Sequence, residues 1–339
     1  MAQLEPPDDI RVYFNADRPP DQVRFPGVPV PIPGPRFWTL RSLTLEMRRD
    51  PPDLLFVPSH VIPPVHPAAV VTIHDLGYLV EPCSHEPVHR KQLEWTTRWN
   101  CRAATGIVAV SHSTRTDLIE RLGVSPEKIR VIHHGVSPAY RPAPFEESER
   151  VRHAYGLPDR FVLAIGTIHP RKNLVSLIQA FEHIAATDRD IALVLSGNAG
   201  WRADEILDRA RRSPFADRIH HIGYVLDRDL PALYSAAAAT AFVSLYEGFG
   251  LPALESMACG TPVVAANRSA LPEACGDAAV LVDPFDSQAI ADGVHRILND
   301  DRLRQALIDS GRQRAKSFTW ENCAYETLAF LRAIRDNSR

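Results

Sequence analysis

Short apolar runs alternate with amphipathic helical patterns along most of this 339-residue chain, and this alternation constrains the fold more than any other feature. The runs are continuous rather than alternately apolar and polar, as is typical of strands buried on both faces of a parallel sheet. Between them, apolar residues recur at helical spacing, as at Leu174, Leu177, Ile178 and Phe181. Strands and helices in regular succession predict βαβ units and doubly wound α/β sheets.

The predicted strands fall into two series. The first series comprises Leu54–Val57, Val70–Ile73, Ile107–Val110 and Ile129–Ile132. The second series comprises Phe161–Ile165, Ile191–Leu195, Ile219–Ile222, Thr240–Val243, Val263–Ala265 and Val280–Val282. The segment between the series, Gly135–Glu149, contains three prolines, which is typical of a linker. We therefore predict a first Rossmann-like domain over residues 1–140 and a second over residues 141–318.

Two further regions carry helical patterns. Prolines recur between Pro19 and Pro67, where we predict only one helix, roughly Phe37–Arg49, because proline lacks an amide hydrogen and clashes with the preceding helical turn. The tail from Arg302 to Ile334 predicts two helices with a break near Phe318–Trp320. Residues 319–339 therefore form a separate C-terminal helix in this interpretation.

Composition excludes several classes of protein. The chain is 45% hydrophobic and 23% charged, which is ordinary for a soluble globular protein, and its net charge of -3 argues against a nucleic-acid partner. Five scattered cysteines without a CxxC favour a reducing cytoplasm. The helix Phe37–Arg49 mixes apolar and arginine residues, so a peripheral contact at the inner face of the membrane stays open, although packing on the first sheet is favoured.

The first motif with chemical meaning is GTIHPRKN, from Gly166 to Asn173. It follows a predicted strand and precedes a helix that Asn173 could cap. Gly166 permits a close turn, and Arg171 and Lys172 add two charges to a helix N-terminus that already favours anions. The motif is suited to a diphosphate, and a solvated basic turn is the alternative.

The second motif is SLYEGFGLPALESMACGTPVV, from Ser244 to Val264. Its glycine-rich turn follows a strand and opens a helix that is predicted to end near Cys259, before Gly260. Glu247 precedes the turn and Glu255 lies on the helix, at the edge of a parallel sheet where ligands bind. A carboxylate there can accept hydrogen bonds from paired sugar hydroxyls, and two surface glutamates are the alternative interpretation.

Together these residues resemble the retaining glycosyltransferases of family 4. The resemblance lies in the Glu-x7-Glu block from Glu247 to Glu255, the PRKN block and the His74–Asp75 pair, with AVSHSTR and VIHHGV in support, and it covers about residues 50–335. It implies the GT-B fold, in which two Rossmann-like domains face a cleft and the second holds a nucleotide sugar. It also implies that the final helix crosses back to the first domain.

The resemblance assigns roles residue by residue. Arg171 and Lys172 match the pair that contacts the donor diphosphate, and Glu255 matches the acid that binds the ribose hydroxyls. Glu247 matches the acid beside the transferred sugar, and His74 matches a first-domain histidine that reaches the reacting sugar. The remaining donor-binding residues are Gly166 and the backbone of Phe249, Gly250 and Leu251, with the base expected near Tyr224–Val225.

The resemblance implies catalysis without a metal or other cofactor. We predict a retaining hexosyltransferase that transfers a hexose, with GDP-mannose as the first candidate donor, to a saccharide or lipid-linked acceptor in polysaccharide or glycoconjugate assembly. Two alternatives stay open: a non-catalytic protein that binds a nucleotide sugar, and a nucleotide-sugar epimerase of the same fold.

The beginning of the sequence departs from the family. Members begin with a short strand, a glycine-rich loop and a long helix, whereas Ala2–Pro6 resembles only the last turn of that helix and Arg11–Asn15 the second strand. We therefore expect that this chain starts late and that the first domain lacks its first strand. A version extended upstream to include the first strand and the glycine-rich loop is expected to be more stable and more active than this chain, and upstream DNA is expected to encode the segment in frame.

Overall fold

The computed structural model describes residues 9–15, 27–34, 37–59 and 61–338. The chain divides into two compact units. The first contains the residues up to His74, Lys91–His133 and the segment from Trp320 onward, and the second contains Asp75–Arg90 and His134–Thr319. The predicted division near residue 140 differs from this one mainly in Asp75–Arg90, which packs with the second unit.

The first unit contains two groups of parallel strands. β1 (Arg11–Phe14) and β2 (Val28–Pro31) form a pair. The four-stranded sheet has the order β3 (Leu55–Val57), β4 (Ala69–Ile73), β5 (Gly106–Ala109), β6 (Ile129–Val131). The helices that contribute to this unit are α1 (Ser42–Arg49), most of α3 (Pro87–Ala103), α4 (His112–Leu122) and α13 (Trp320–Asn337).

The C-terminal helix α13 packs on the four-stranded sheet. Phe330, Leu331 and Ile334 lie against a core that includes Val70 and Val108. The approach is close, because a Cβ atom added to Gly106 would lie 2.9 Å from the Phe330 ring. The helix therefore belongs to the first unit, although the residues immediately before it belong to the second.

The second unit contains a six-stranded parallel sheet. The strands are β7 (Phe161–Ile165), β8 (Ala192–Ser196), β9 (Ile219–Gly223), β10 (Ala239–Phe242), β11 (Val263–Ala266) and β12 (Val280–Val282). Their order across the sheet is β12-β11-β10-β7-β8-β9. This is the doubly wound order of a Rossmann-type sheet, and the direction of winding reverses between β7 and β10.

Helices of the second unit precede, connect and follow these strands. They are α2 (Gly77–Val80), α5 (Phe145–Ala154), α6 (Leu174–Thr187), α7 (Ala203–Arg211), α8 (Leu230–Ala236), α9 (Leu251–Ala258), α10 (Leu271–Cys275), α11 (Ser287–Asn299) and α12 (Asp301–Lys316). The central strands are almost fully inaccessible to solvent, and Leu163 in β7, Leu193 in β8 and Val264 in β11 are examples. The continuous apolar runs therefore fill a sheet that is covered on both faces.

The first helix is shorter than the predicted segment Phe37–Arg49. Phe37 has a φ of 72°, a short 3₁₀ turn follows at Trp38–Leu40, and α1 begins only at Ser42. Leu43 and Met47 are buried, which confirms packing for one face of the helix. Strand β1 confirms the strand predicted at Arg11–Asn15, whereas the helical turn predicted at Ala2–Pro6 lies outside the described residues. The predicted absence of a preceding strand stays a prediction.

Candidate active site

The two sequence motifs meet at the point where the six-stranded sheet reverses its winding. β7 and β10 are neighbours, with Val162 opposite Ala239 and Leu163 opposite Thr240. The loop after β7 carries the first motif and the loop after β10 carries the second. The amide of Leu245 donates a hydrogen bond to the Arg171 carbonyl at 2.8 Å, so the two loops are joined. In parallel α/β sheets this crevice, at the carboxyl ends of the strands, is where ligands bind.

The loop after β7 depends on glycines that allow close approach. Gly166 has a φ of 130°, and a Cβ atom there would lie 3.1 Å from Cε of Lys172. A Cβ atom on Gly197, after β8, would lie 2.0 Å from the Gly166 carbonyl oxygen. Glycine at these positions therefore lets the backbones of the two loops come into contact. It also lets the aliphatic part of the Lys172 side chain pack against Gly166, directly after β7.

Asn173 lies before α6 as predicted, but its side chain does not cap that helix. Its φ of 56° is left-handed, and its Oδ1 accepts a hydrogen bond from the Ser176 hydroxyl at 2.8 Å rather than from a helix amide. Its Nδ2 donates to the carbonyls of Val243, at 3.2 Å, and Pro284, at 2.7 Å. Asn173 thus ties the first motif to the chain segments after β10 and β12.

Arg171 and Lys172 both bind the carboxylate of Glu247. Nζ of Lys172 lies 2.8 Å from Oε1 of Glu247, and Nη1 of Arg171 lies 3.2 Å from Oε2. Nη1 of Arg171 also donates to the carbonyl of Tyr246 at 2.5 Å. All three charged side chains are less than a quarter exposed. The family resemblance implies that the two cations and the acid belong to one donor site, and the structure shows that they form a single ionic cluster.

The cluster keeps Glu247 ionised. Burial opposes the charge of this carboxyl and is the largest influence on it, but the charges of Lys172 and Arg171 and the hydrogen bonds to the carboxylate together outweigh burial and lower its pKa to about 2. The Glu247 amide donates to the Ser269 hydroxyl at 2.9 Å, which fixes the backbone as well. The site therefore holds two positive charges and one negative charge.

His169 is a site residue that sequence reasoning missed. Its Nδ1 accepts a hydrogen bond from the Arg171 amide at 3.2 Å, and its ring lies 5.5 Å from that of His85. Burial first, and then the charge of Arg171, lower the pKa of His169 to about 4, so the ring is neutral near pH 7. The sequence signal that could have identified His169 is its position in the first motif, directly before Pro170.

The glycine-rich turn after β10 directs its phenylalanine inward. The Phe249 side chain is buried, with its ring 5.8 Å from that of His134 and 5.5 Å from that of Phe318. Of the residues predicted to bind donor here, Phe249 can therefore offer only its backbone. Gly250 has a φ of 107°, and α9 begins at Leu251 and ends at Ala258, close to the predicted end.

The conformation of Gly250 predicts a large cost for alanine at this position. In Gly250→Ala, a Cβ atom would lie 3.0 Å from Leu271 in a backbone conformation that side chains rarely adopt. We expect the free energy of unfolding to fall by ~1–3 kcal/mol, measured by chemical denaturation. Gly156→Ala is the matched control, because its φ is 60° but nothing lies within 4 Å. Equal losses in the two variants would contradict the role of crowding at Gly250.

Glu255 lies on α9 between two tyrosines. The Tyr234 hydroxyl donates to its Oε2 at 3.2 Å, and the Tyr140 ring lies 6.0 Å from that of Tyr234. Burial raises the pKa of Glu255, while the two tyrosines oppose that shift. At the end of β9, Tyr224 is exposed with its hydroxyl 2.9 Å from Asp227, and Val225 is buried.

His74 lies in the other unit, just beyond the carboxyl end of β4. It is exposed, and its Nε2 lies 2.8 Å from the carbonyl oxygen of Pro58. The next residue, Asp75, belongs to the second unit, where its Oδ1 accepts a hydrogen bond from the Gly77 amide at 2.8 Å. The role that the family resemblance implies for His74 stays a prediction.

Two family models match consecutive parts of the chain. The family model "Glycosyltransferase Family 4" matches residues 4–140, and "Glycosyl transferases group 1" matches residues 145–314. The O-antigen chain mannosyltransferase B of Escherichia coli is 35% identical over 283 residues, which are 83% of this chain and 74% of that protein. Other E. coli mannosyltransferases match at 30% identity, and the chain spans only 29% of their length.

Solved structures show the same fold. WaaG, a glycosyltransferase involved in lipopolysaccharide biosynthesis, superposes with a TM-score of 0.73 at 16% identity over 96% of this chain and 91% of its own. HepE of Anabaena, in complex with UDP-glucose, has a TM-score of 0.74 at 19% identity over 90% of this chain and 86% of its own.

The fold, the motifs and these matches define the class of protein. The chain is a glycosyltransferase with the GT-B fold of two Rossmann-like domains, which confirms the fold and the class of activity predicted from sequence. It belongs to the glycosyl transferases group 1 family.

Proposed function

We propose that this enzyme transfers a hexose from a nucleoside-diphosphate sugar that is held mainly by the second unit. The observation that carries the proposal is the ionic cluster of Arg171, Lys172 and Glu247 at the switch point of a doubly wound sheet. Two cations there can match the diphosphate oxygens, and they stabilise the negative charge that develops as the diphosphate leaves.

The two glutamates and the backbone of two glycine-containing loops complete the proposed donor site. Glu255 accepts the ribose hydroxyls, and Glu247 lies beside the transferred sugar, where its carboxylate stabilises positive charge that develops at the sugar. The backbone of Gly166 and of the Phe249–Leu251 turn approaches the donor. In this proposal His74 contacts the reacting sugar, and Tyr224 and Val225 lie near the base.

We infer mannose as the sugar, GDP-mannose as the donor and retention of the anomeric configuration. The matched E. coli relative is a mannosyltransferase of the O-antigen chain, which supports a saccharide or lipid-linked acceptor in polysaccharide assembly. The test is a thermal-shift screen of nucleotide sugars, followed by product analysis of each hit. A stabilising shift with GDP-mannose and an α-mannosyl product by NMR are expected, whereas a shift with another donor alone would overturn the choice of mannose.

We also propose that the reaction needs no metal ion. Arg171 and Lys172 supply the positive charge that a divalent cation would otherwise bring to the diphosphate. The initial rate of transfer is therefore expected to be the same with and without EDTA. A loss of activity in EDTA that added Mg²⁺ or Mn²⁺ restores would contradict this proposal.

The exposed face of α1 supports a peripheral contact with an anionic membrane. No helix among residues 9–15, 27–34, 37–59 and 61–338 is long and apolar enough to span a membrane. Phe37, Leu40 and Leu45 are exposed apolar side chains, and Arg48 and Arg49 at the end of α1 are also exposed. Leu45, Arg48 and Arg49 share one face of α1 by their helical spacing, and apolar and basic side chains on one face are typical of segments that lie on anionic lipid.

The membrane proposal predicts that charge reversal on α1 weakens lipid binding. We expect the double variant Arg48→Glu and Arg49→Glu to bind phosphatidylglycerol vesicles at least ~10-fold less tightly than the original chain, measured by co-sedimentation. The control is Phe145→Glu, which changes an exposed apolar residue of the second unit. Equal binding by the double variant and the original chain would contradict the contact.

A further inference from the structure

His169 holds the backbone of both cations in the first motif. Its Nδ1 accepts a hydrogen bond from the Arg171 amide at 3.2 Å, and its carbonyl oxygen accepts one from the Lys172 amide at 2.9 Å. Pro170 follows it and favours the extended conformation that His169 adopts, with a φ of -154° and a ψ of 142°. The imidazole therefore acts as the capping side chain of the short 3₁₀ turn Pro170–Lys172.

The hydrogen bond from the Arg171 amide also fixes the protonation state of the His169 ring. A backbone amide can only donate, so Nδ1 carries no proton and the ring is neutral. The surroundings favour the neutral ring, because burial and then the charge of Arg171 lower the pKa of His169 to about 4. The ring of His85 packs against it edge to face, with the centroids 5.5 Å apart and the planes at 67°.

The absence of charge on this cap matters because the ionic cluster beside it already contains one acid. Arg171, Lys172 and Glu247 carry two positive charges and one negative charge. Aspartate and asparagine are commoner caps, and both carry Oδ1 where histidine carries Nδ1, one bond beyond Cγ. An aspartate cap would bring the net charge of this group to zero and would compete with a phosphate for the cations. A neutral cap leaves the net positive charge for the ligand.

We propose that His169 is a positioning residue that holds the Arg171–Lys172 turn without adding charge, so that the cluster keeps a net positive charge for the donor diphosphate. This inference rests on the proposed function, in which the two cations bind the diphosphate. His169 acts through the backbone of the turn. Its hydrogen-bond acceptor and its neutrality are two separate requirements, and each can be removed alone.

Three substitutions of His169 separate the hydrogen bond from the charge. His169→Asn keeps an acceptor and adds no charge, His169→Asp keeps an acceptor and adds a negative charge, and His169→Ala removes the acceptor. GDP and UDP are first screened by thermal shift, and the one with the larger shift is titrated into each variant by calorimetry. His295→Asp, which replaces an exposed histidine of α11 in the same unit, is the control for an added charge.

His169→Asn is expected to bind the nucleotide within about twofold of the original chain, whereas His169→Asp and His169→Ala should each bind it roughly threefold to tenfold less tightly. The loss in His169→Asp, taken as a ratio to the original chain, should shrink at higher salt because salt screens the added charge. His295→Asp should bind as the original chain does. The comparison of His169→Asn with His169→Asp decides the question even if His169→Ala fails to fold, and equal affinity in these two variants would overturn the inference.

The protonation state of His169 gives a second measurement. In protein with ¹⁵N-labelled histidine, the His169 resonances are identified by their absence from His169→Asn. At pH 7 we expect Nδ1 to resonate as an unprotonated imidazole nitrogen, with and without the nucleotide, while Nε2 carries the proton. A ring that is protonated on both nitrogens at pH 7 would contradict the neutral cap.

Lys172→Met separates this inference from the proposed function. If Lys172→Met binds the nucleotide less tightly while all three His169 variants bind it as the original chain does, the diphosphate contact stands and His169 does not position the cations. If Lys172→Met also binds as the original chain does, the cluster does not hold the diphosphate, and the inference falls together with the proposed function.

Discussion

Replacement of Glu247 by glutamine is expected to lower kcat by ~10²-fold or more, which corresponds to about 3 kcal/mol of transition-state stabilisation. The substitution keeps the shape of the side chain and one acceptor oxygen for Lys172, but it removes the negative charge. In the proposed reaction, positive charge develops on the sugar as the diphosphate departs, and Glu247 is the carboxylate held beside it. Its low pKa, about 2, means that this charge is present throughout the neutral range.

The same substitution is expected to strengthen the binding of the nucleoside diphosphate. In the structure, Glu247 neutralises part of the charge of Arg171 and Lys172, at 3.2 Å and 2.8 Å. Without the carboxylate, both cations are available to the phosphates, and the repulsion between carboxylate and phosphate is gone. We expect the dissociation constant to fall by roughly threefold to tenfold, because charges at such distances in a partly buried site interact by ~1 kcal/mol or more.

Steady-state kinetics with a confirmed donor and calorimetry with the nucleoside diphosphate measure these two effects. Glu182→Gln is the matched control, because Glu182 also pairs with an arginine, Arg209, at 2.6 Å in the same unit but on α6 and α7. Full kcat in Glu247→Gln would remove the electrostatic role. A lower kcat together with weaker nucleotide binding would indicate that the loop after β10 has lost its structure instead.

The strands could be predicted from sequence almost to the residue. Each predicted run in the two sheets lies within one residue of an observed strand, for example Ile191–Leu195 against Ala192–Ser196. The reason is that continuous burial on both faces of a parallel sheet leaves a continuous apolar run in the sequence. Amphipathic helical patterns, in which only one face of the helix is apolar, predict the ends of an element less well. The spacing of apolar residues in Phe37–Arg49 predicts one helix, but Phe37 has a positive φ, a 3₁₀ turn follows it, and α1 begins at Ser42.

The site could be predicted in its residue types but not in its contacts. Helix starts, glycines and charges indicated an anion site in each of the two motifs. They could not show that Glu247 binds both cations across about seventy-five residues of sequence, because that contact depends on the neighbouring positions of β7 and β10 in the sheet. The tyrosines around Glu255 were missed for the same reason. Tyr140 and Tyr234 carry no local signal, and only the tertiary fold brings the Tyr234 hydroxyl to the Glu255 carboxylate and the Tyr140 ring against that of Tyr234.

The removal of either cation is expected to weaken nucleoside-diphosphate binding. For Arg171→Ala and Lys172→Ala we expect a loss of ~1.5–3 kcal/mol each, the range for hydrogen bonds to charged groups, or roughly a 10- to 150-fold higher dissociation constant. Arg171→Ala also removes a donor to the Tyr246 carbonyl and disturbs the backbone of the second motif. In the described part of the chain the Lys172 ammonium group donates to Glu247 and to no backbone carbonyl, so variants of Lys172 test the phosphate contact most directly.

Lys172→Met separates charge from packing. The Lys172 stem lies against Gly166, where an added Cβ atom would be 3.1 Å from its Cε, and methionine can fill that space without the charge. If Lys172 acts through its ammonium group, Lys172→Met and Lys172→Ala should lose similar affinity in calorimetry. Both variants leave the Glu247 carboxylate with one cation fewer, which lowers the melting temperature, but Lys172→Met should lower it less than Lys172→Ala because it keeps the packing. Arg211→Ala, at an exposed cation of α7, should bind as the original chain does. Affinity that is unchanged in Arg171→Ala and in both Lys172 variants would remove the diphosphate from this cluster and leave the cations with a purely structural role around Glu247.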